Sequence, residues 1–172
     1  MKVILVAALS ADGLLARDGD DFSMDWTSPE DVKLFVRVTK EAGVIIMGSR
    51  TFATTIAAGR RLPGRKMVVY TSKEHIEHER ADATEFTSDA PAVVLERLAQ
   101  EGYKSVALCG GAAVYDMFLQ AGLVDEVYIS VEPVLFGTGM TLARSGLDIR
   151  LKLLETEQLN ENTCMMHYEV QR

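Results

Sequence analysis

Residues Lys2 to Leu9 form a nearly continuous apolar run in which polar and apolar positions do not alternate. A strand with one wet face would alternate, so this run predicts a strand covered on both sides, as in a parallel sheet flanked by helices. Val44 to Met47, Lys66 to Thr71, Lys104 to Cys109 and Val124 to Val131 read as further strands. Helical patterns separate them. The first opens at Thr27-Ser28-Pro29-Glu30-Asp31, where Ser28 suits the N-cap and Pro29 the first helical position. Its apolar stripe is Val32, Phe35, Val38 and Ala42, and Gly43 marks its end. A short helix follows Gly48-Ser49-Arg50-Thr51, in which Ser49 and Thr51 are candidate caps. Two more run from about Pro91 to Glu101 and from about Ala112 to Ala121, stopped by Gly102 and Gly122. Strands alternating with helices specify an α/β fold with a mostly parallel twisted sheet and helices on both faces. Leu151 to Glu157 and Cys164 to Val170 have no helix between them, so they are expected to pair as a C-terminal antiparallel hairpin at the sheet edge.

The 172 residues suit a single domain spanning 1–172, long enough to bury roughly 70% of its unfolded surface. A net charge of -7 argues against binding nucleic acid through the overall field, and no stretch has the length of a membrane span. The Met1 to Val6 segment is too short for a signal peptide, so the expected location is the cytoplasm. Cys109 and Cys164 have no motif spacing, and His75, His78 and His167 do not converge with them on a metal pattern. The expectation is reduced thiols, no metal, a small-molecule ligand, and a monomer or homodimer.

Three predicted strand ends carry groups suited to phosphate. Gly110-Gly111 lies where a strand meets a helix, the place where open α/β sheets bind ligands and backbone N–H groups can approach an anion. A tight turn with no ligand explains the same pair about equally well. Gly48-Ser49-Arg50-Thr51 repeats the arrangement with a cation, and Thr71-Ser72-Lys73 adds two hydroxyls and an ammonium. Together they suggest a long ligand with several phosphates, such as a dinucleotide, although G-x-G-x-x-G is absent. Asp31 lies one turn before Phe35 on the apolar face of its helix. It is either a helix cap or a carboxylate held in an apolar pocket to grip a cationic or amidine-like group. Trp26, the only tryptophan, is core or pocket wall, and Leu62-Pro63-Gly64-Arg65-Lys66 is a turn with Arg65 able to pair a carboxylate. The polar segment Ser10 to Asp25 is long for a connection, with turn signals at Asp12-Gly13 and Asp18-Gly19.

In this order, Val6-Ala7-Ala8-Leu9, Trp26-x-x-Pro29-x-Asp31, Ile46-Met47-Gly48-x-x-Thr51, Leu62-Pro63-Gly64-Arg65-Lys66 and Gly110-Gly111-x-x-Val114-Tyr115 resemble dihydrofolate reductase over essentially the whole chain. The resemblance implies a central sheet of about eight strands, NADPH as cofactor, and reduction of 7,8-dihydrofolate to tetrahydrofolate. It implies that Asp31 bonds the pterin 2-amino group and N3, with Trp26 beside it at the catalytic centre. Val6, Ala8, Phe35, Leu62, Cys109, Tyr115 and Ser130 would border the substrate, and Arg65 would pair with the α-carboxylate of its glutamate tail. The cofactor would lie along Ala8, Leu15, Ala16, Gly48, Ser49, Arg50, Thr51, Cys109, Gly110, Gly111, Ala112, Ala113, Val114 and Tyr115. Thr71, Ser72 and Lys73 would complete its adenosine end, with Arg50 and Ser72 facing the 2′-phosphate, and Ser10 to Asp25 would close over the nicotinamide. Ala121 to Glu126 and Phe136-Gly137-Thr138-Gly139 are more similar to the related reductase domain of riboflavin biosynthesis, which reduces a ribosylaminopyrimidine phosphate with NADPH. A nucleotide-binding scaffold without catalysis is the third reading.

Overall fold

The computed structural model describes residues 1–17, 23–60, 62–72, 84–143 and 146–172. The chain forms β1 (Lys2–Ser10), β2 (Leu14–Ala16), α1 (Pro29–Ala42), β3 (Val44–Gly48), α2 (Ser49–Ala57), β4 (Lys66–Tyr70) and β5 (Thr84–Thr87). It continues through α3 (Pro91–Gln100), β6 (Ser105–Leu108), α4 (Ala112–Gln120), β7 (Glu126–Glu132), β8 (Met140–Thr141), β9 (Arg150–Gln158) and β10 (Cys164–Gln171). Eight strands make the main sheet, in the order β5-β4-β3-β6-β1-β7-β10-β9. Strands β5 to β7 along that order are mutually parallel, and β10 runs antiparallel to both β7 and β9. The α/β single-sheet expectation and the antiparallel C-terminal hairpin are both met. The pair β2–β8 and the strand β5, two to four residues each, are too short to show a period in the sequence.

The central strands are apolar throughout because both faces are covered. Val3, Leu5, Ile46 and Val106 pack toward α3 and α4 with Val94, Leu98 and Phe118. Ile4, Val6 and Ala107 pack toward α1 with Leu34, Val38 and Ala42, and Ile45, Met47, Met67 and Val69 cover Phe52 and Leu62. Every one of these residues is at most 9% exposed, so the sheet is a rigid platform whose strand ends hold their positions.

Local chemistry sets the start of α1. Ser28 is its N-cap, with the Oγ accepting from the Asp31 N–H at 3.2 Å, and Pro29 opens the first turn. The cap is itself anchored. Glu132, buried at the end of β7, accepts from the Ser28 backbone N–H (2.9 Å) and the Ser28 hydroxyl (2.8 Å) through Oε1. Its Oε2 accepts from the Thr163 hydroxyl at 2.9 Å, tying in the β9–β10 turn. At the far end Gly43 adopts φ 75° and returns its N–H to Thr39 O, the left-handed stop that glycine permits. Helix α2 departs from expectation: Gly48 is its N-cap, and no side chain caps it, so neither Ser49 nor Thr51 has that role. The chain leaves β3 straight into helix, which places both hydroxyl residues inside the helix.

Replacing Glu132 by Ala strands the Ser28 N–H and the Thr163 hydroxyl in a buried site. Urea unfolding is expected to show a loss of about 1–3 kcal/mol with an unchanged slope. A midpoint equal to that of the unaltered protein would show that Glu132 anchors nothing.

Candidate active site

The parallel strands β3, β6 and β1 end along one edge, and a cleft of about 520 Å³ opens there. Two helix N-termini point into this edge from adjacent strands, α2 after Gly48 and α4 after Gly111, and neither carries a side-chain cap. Both leave backbone N–H groups for an external acceptor. The strand ends are tied together by the Gly48 N–H donating to Gly110 O at 2.8 Å and the Cys109 N–H donating to Ile46 O at 2.9 Å. The peptide between Gly110 and Gly111 is cis, and Gly110 has φ 100°. A Cβ at Gly111 would stand 3.3 Å from the Thr51 Oγ1, and one at Gly48 would stand 3.4 Å from the Val114 Cγ2. These glycines thus keep the floor bare where two backbones meet. Bare backbone of this kind leaves room for a chain of phosphates, and the residues present fit a dinucleotide there.

The walls separate by chemistry. Gly48, Ser49, Arg50, Thr51, Thr54, Tyr70 and the run Gly110 to Val114 give one part backbone amides, hydroxyls and a cation. Val6, Ala7, Ala8, Leu15, Ala16, Phe35, Cys109, Met117 and Met140 give the other an apolar surface. Asp31 lies on that apolar part, half-buried in the first turn of α1. Desolvation pushes its carboxyl above the ordinary aspartate range, and the nearby Glu132 adds to the shift. The Ser130 hydroxyl beside the carboxyl opposes it. Its side chain is not the cap of α1, since Ser28 fills that role, so the cap alternative for Asp31 is removed. A desolvated carboxyl on an apolar wall is suited to a flat ligand with adjacent N–H donors.

Burial disfavours the charged form of two further titratable groups here, Tyr115 and Cys109. Tyr115 is buried, and burial together with Cys109 and Asp31 pushes its hydroxyl far up. It donates to Val6 O at 2.6 Å, bracing β1 where the strand borders the cleft. Burial pushes the Cys109 thiol well above its usual range, which disfavours the thiolate.

Most of the residues named from sequence converge on this cleft: Val6, Ala8, Leu15, Ala16, Asp31, Phe35, Gly48, Ser49, Arg50, Thr51, Cys109 and the stretch Gly110 to Tyr115. Others stand elsewhere. Leu62 is buried against Ile45, Met47 and Phe52. Arg65 is buried, donating to the Thr39 Oγ1 at 2.7 Å and to Pro63 O at 3.3 Å, because a guanidinium inside the fold must be hydrogen-bonded. Ser130 is buried behind Asp31 and does not line the cleft. Trp26 packs edge-on against Phe136, centroids 5.0 Å apart, with its buried Nε1 lacking a hydrogen-bond partner among the described residues. Thr71 continues the backbone ladder to Thr87 O, Ser72 is exposed, and Tyr70 forms the wall in their place. Lys73, His75, His78 and the Asp18-Gly19 turn lie outside the described residues. Thr54, Tyr70, Met117 and Met140 were missed, of which Tyr70, inside the predicted strand Lys66 to Thr71, carried a positional signal; Ser23 lies in the segment Ser10 to Asp25 expected to close over the site, and Ala7 in the Val6 to Leu9 motif. Among the described residues no group of three or more His, Cys, Asp or Glu could hold a metal ion, and no helix is long and apolar enough to cross a membrane.

Comparison with known proteins supplies the family. The family described as the RibD C-terminal domain matches residues 1–165. Dihydrofolate reductase HdrB from Haloferax volcanii is 35% identical over 127 residues, covering 72% of this chain and 63% of that protein, so the match spans less than two thirds of that relative. A putative riboflavin biosynthesis protein from Shewanella sp. PV-4 superposes with a TM-score of 0.87 at 19% identity, covering 100% of both chains. A dihydrofolate reductase from Enterococcus faecalis, complexed with NADP(H), gives a TM-score of 0.73 at 17% identity over 99% of this chain and 97% of that one. The chain belongs to the RibD C-terminal domain family, a group of reductases that shares the fold of dihydrofolate reductase.

Proposed function

We propose that this chain is an NADPH-dependent reductase that converts 7,8-dihydrofolate to 5,6,7,8-tetrahydrofolate. The observation that carries the reading is Asp31, a desolvated carboxyl on the apolar wall beside the strand-end glycines. When bound, NADPH would be the hydride donor to C6 of the pterin, with one proton required at N5 to complete the reduction. The unshared backbone N–H groups of α2 and α4 and the Arg50 guanidinium hold the cofactor's phosphates. Ala8, Leu15, Ala16 and Cys109 surround the contact between the two flat rings and keep water from it. Asp31 takes the pterin 2-amino group and N3, and its negative charge favours the protonated ring. Its grip leaves N5 on the other side of the heterocycle, so the proton arrives there from water. Trp26, packed edge-on against Phe136, stands outside the cleft lining and takes no part in this step.

A second reading is reduction of a ribosylaminopyrimidine phosphate. It is favoured by the family match and by the closer superposition on the riboflavin biosynthesis protein than on the dihydrofolate reductase. A substrate phosphate needs cations of its own, and Arg50 is the one cation among the described residues lining the cleft.

Purified protein mixed with NADPH and dihydrofolate is expected to lose the reduced-nicotinamide absorbance steadily, and Asp31→Asn to lower kcat/KM on the order of 10²-fold at neutral pH. Loss of absorbance only with the pyrimidine phosphate would establish the second reading, and tight NADPH binding without turnover would establish a scaffold. Arg50→Ala is expected to weaken NADPH on the order of tenfold while NADH binding changes little, as for one charge-assisted contact to the 2′-phosphate. Equal weakening of both cofactors would remove that role from Arg50.

The pH dependence of stability follows from the direction of the Asp31 shift. Its folded value lies above its unfolded one, so the native state retains a proton that the unfolded chain releases between the two. Stability therefore falls as pH rises through that window, and the loss is complete above the folded value. Without ligands, Asp31→Asn is expected to raise Tm at pH 7, with the gain vanishing as the pH drops below the ordinary aspartate range. A lower Tm at pH 7 would mean that the carboxylate stabilises the fold.

A further inference from the structure

We propose that the cleft selects its substrate by the bicyclic head alone, so that unconjugated 7,8-dihydropterins, which lack a glutamate tail, are reduced on the same footing as dihydrofolate. The inference rests on the reading of Asp31 given above and concerns the part of the substrate that Asp31 does not touch. Dihydrofolate has two ends that a protein can grip. One is the 2-amino-4-oxo heterocycle; the other, beyond a benzoyl ring, is a glutamate with two carboxylates. Firm capture of the second end takes a cation able to offer paired N–H donors to a carboxylate.

Arg65 is the residue whose type and position suit that task, and the fold uses it otherwise. Its side chain lies inside the protein, with the residue only 4% exposed. Nη1 donates to the Thr39 Oγ1 at 2.7 Å and Nε donates to Pro63 O at 3.3 Å. Thr39 is itself buried, and its hydroxyl donates to Phe35 O at 2.6 Å, which leaves the oxygen as an acceptor for the guanidinium. The turn before β4 is thereby fastened to the last turn of α1. Drawing the guanidinium out toward a tail would strip that buried oxygen of its donor, which offsets the gain from a new ion pair. The neighbouring Leu62 is packed against Ile45, Met47 and Phe52, so the apolar wall that a benzoyl ring would need also belongs to the core.

The lining of the cleft agrees. Among the described residues that line it, Arg50 is the one cation, and it stands in the first turn of α2, in the half fitted to phosphates. The half fitted to a ring is apolar, with Asp31 its one charged group among the described residues. On α1, Lys33 and Arg37 already face Glu30 (3.2 Å) and Glu157 (2.9 Å) at the surface. A tail reaching an exposed cation of that kind gains about fivefold at most. The chemistry does not need the tail. In either substrate the N5=C6 bond takes a hydride at C6 and a proton at N5 while NADPH is oxidised to NADP+, and Asp31 meets the same 2-amino group and N3.

The test compares kcat/KM at saturating NADPH for 7,8-dihydrofolate and for 6-hydroxymethyl-7,8-dihydropterin, which carries the same heterocycle with no benzoylglutamate. The two values are expected to agree within about fivefold, and millimolar p-aminobenzoylglutamate is expected not to inhibit. Arg65→Met is expected to lower Tm and to leave the ratio of the two values unchanged. Should that variant not fold, the ratio in the unaltered protein decides. A larger preference for dihydrofolate, competitive inhibition by p-aminobenzoylglutamate, or a folded Arg65→Met that loses about tenfold or more on dihydrofolate alone would each overturn the inference and leave the role of Asp31 standing. Turnover of neither substrate would instead strike the proposed function, and this inference with it.

Discussion

The cleft depends on one electrostatic constraint: a carboxyl group held at an apolar wall where water cannot fully solvate it. Asp31 would relax into solvent if the first turn of α1 were free to shift. It is not free, because Glu132 grips both the backbone and the hydroxyl of Ser28, and Ser28 caps the turn through the Asp31 N–H. A polar chain thus runs from the end of β7, through the helix cap, to the candidate ligand anchor. The third bond of Glu132, to Thr163, brings the C-terminal hairpin into the same assembly. The geometry of the site is secured by packing and hydrogen bonds made elsewhere, as expected when a group is kept in an unfavourable environment for function.

The second half of the site rests on backbone. Strands β3 and β6 end side by side, and each releases its chain directly into a helix with no side-chain cap. Glycine at the junctions lets the two backbones approach, and the free N–H groups face the cleft edge. An acidic chain can therefore still offer an anion site, since the positive potential is local and belongs to helix ends and one arginine. The division into an anion-binding half and an apolar half with a single carboxyl matches what a nucleotide hydride donor and a flat heterocycle require.

Much of this was legible in the sequence because the signals were local. The apolar run of β1, the Ser28-Pro29 start and the Gly43 stop of α1, and the Gly110-Gly111 junction are read from a few neighbouring residues. The antiparallel hairpin followed from a missing helix. What escaped depended on long-range contacts. Glu132 looks like any exposed acid until β7 is placed beside Ser28 and Thr163, more than a hundred residues and about thirty residues away respectively. Arg65 reads as a surface cation after a turn, yet Thr39 draws its guanidinium inside. Tyr70 replaced Thr71 and Ser72 because the wall of the cleft is reached by the last residue of the strand and not by those that follow it. The pairing of β2 with β8 joins short segments more than a hundred residues apart, for which no local pattern exists.

The claim that Asp31 grips an amidine-like edge of a flat ring is tested most directly by the protonation state of a bound 2,4-diaminopteridine, followed by ultraviolet difference spectra across pH. The account predicts that the ring binds protonated well above its solution pKa, in competition with dihydrofolate, and that Asp31→Asn abolishes this rise while the protein stays folded. A ligand that binds neutral, or that is protonated equally in both proteins, would contradict it.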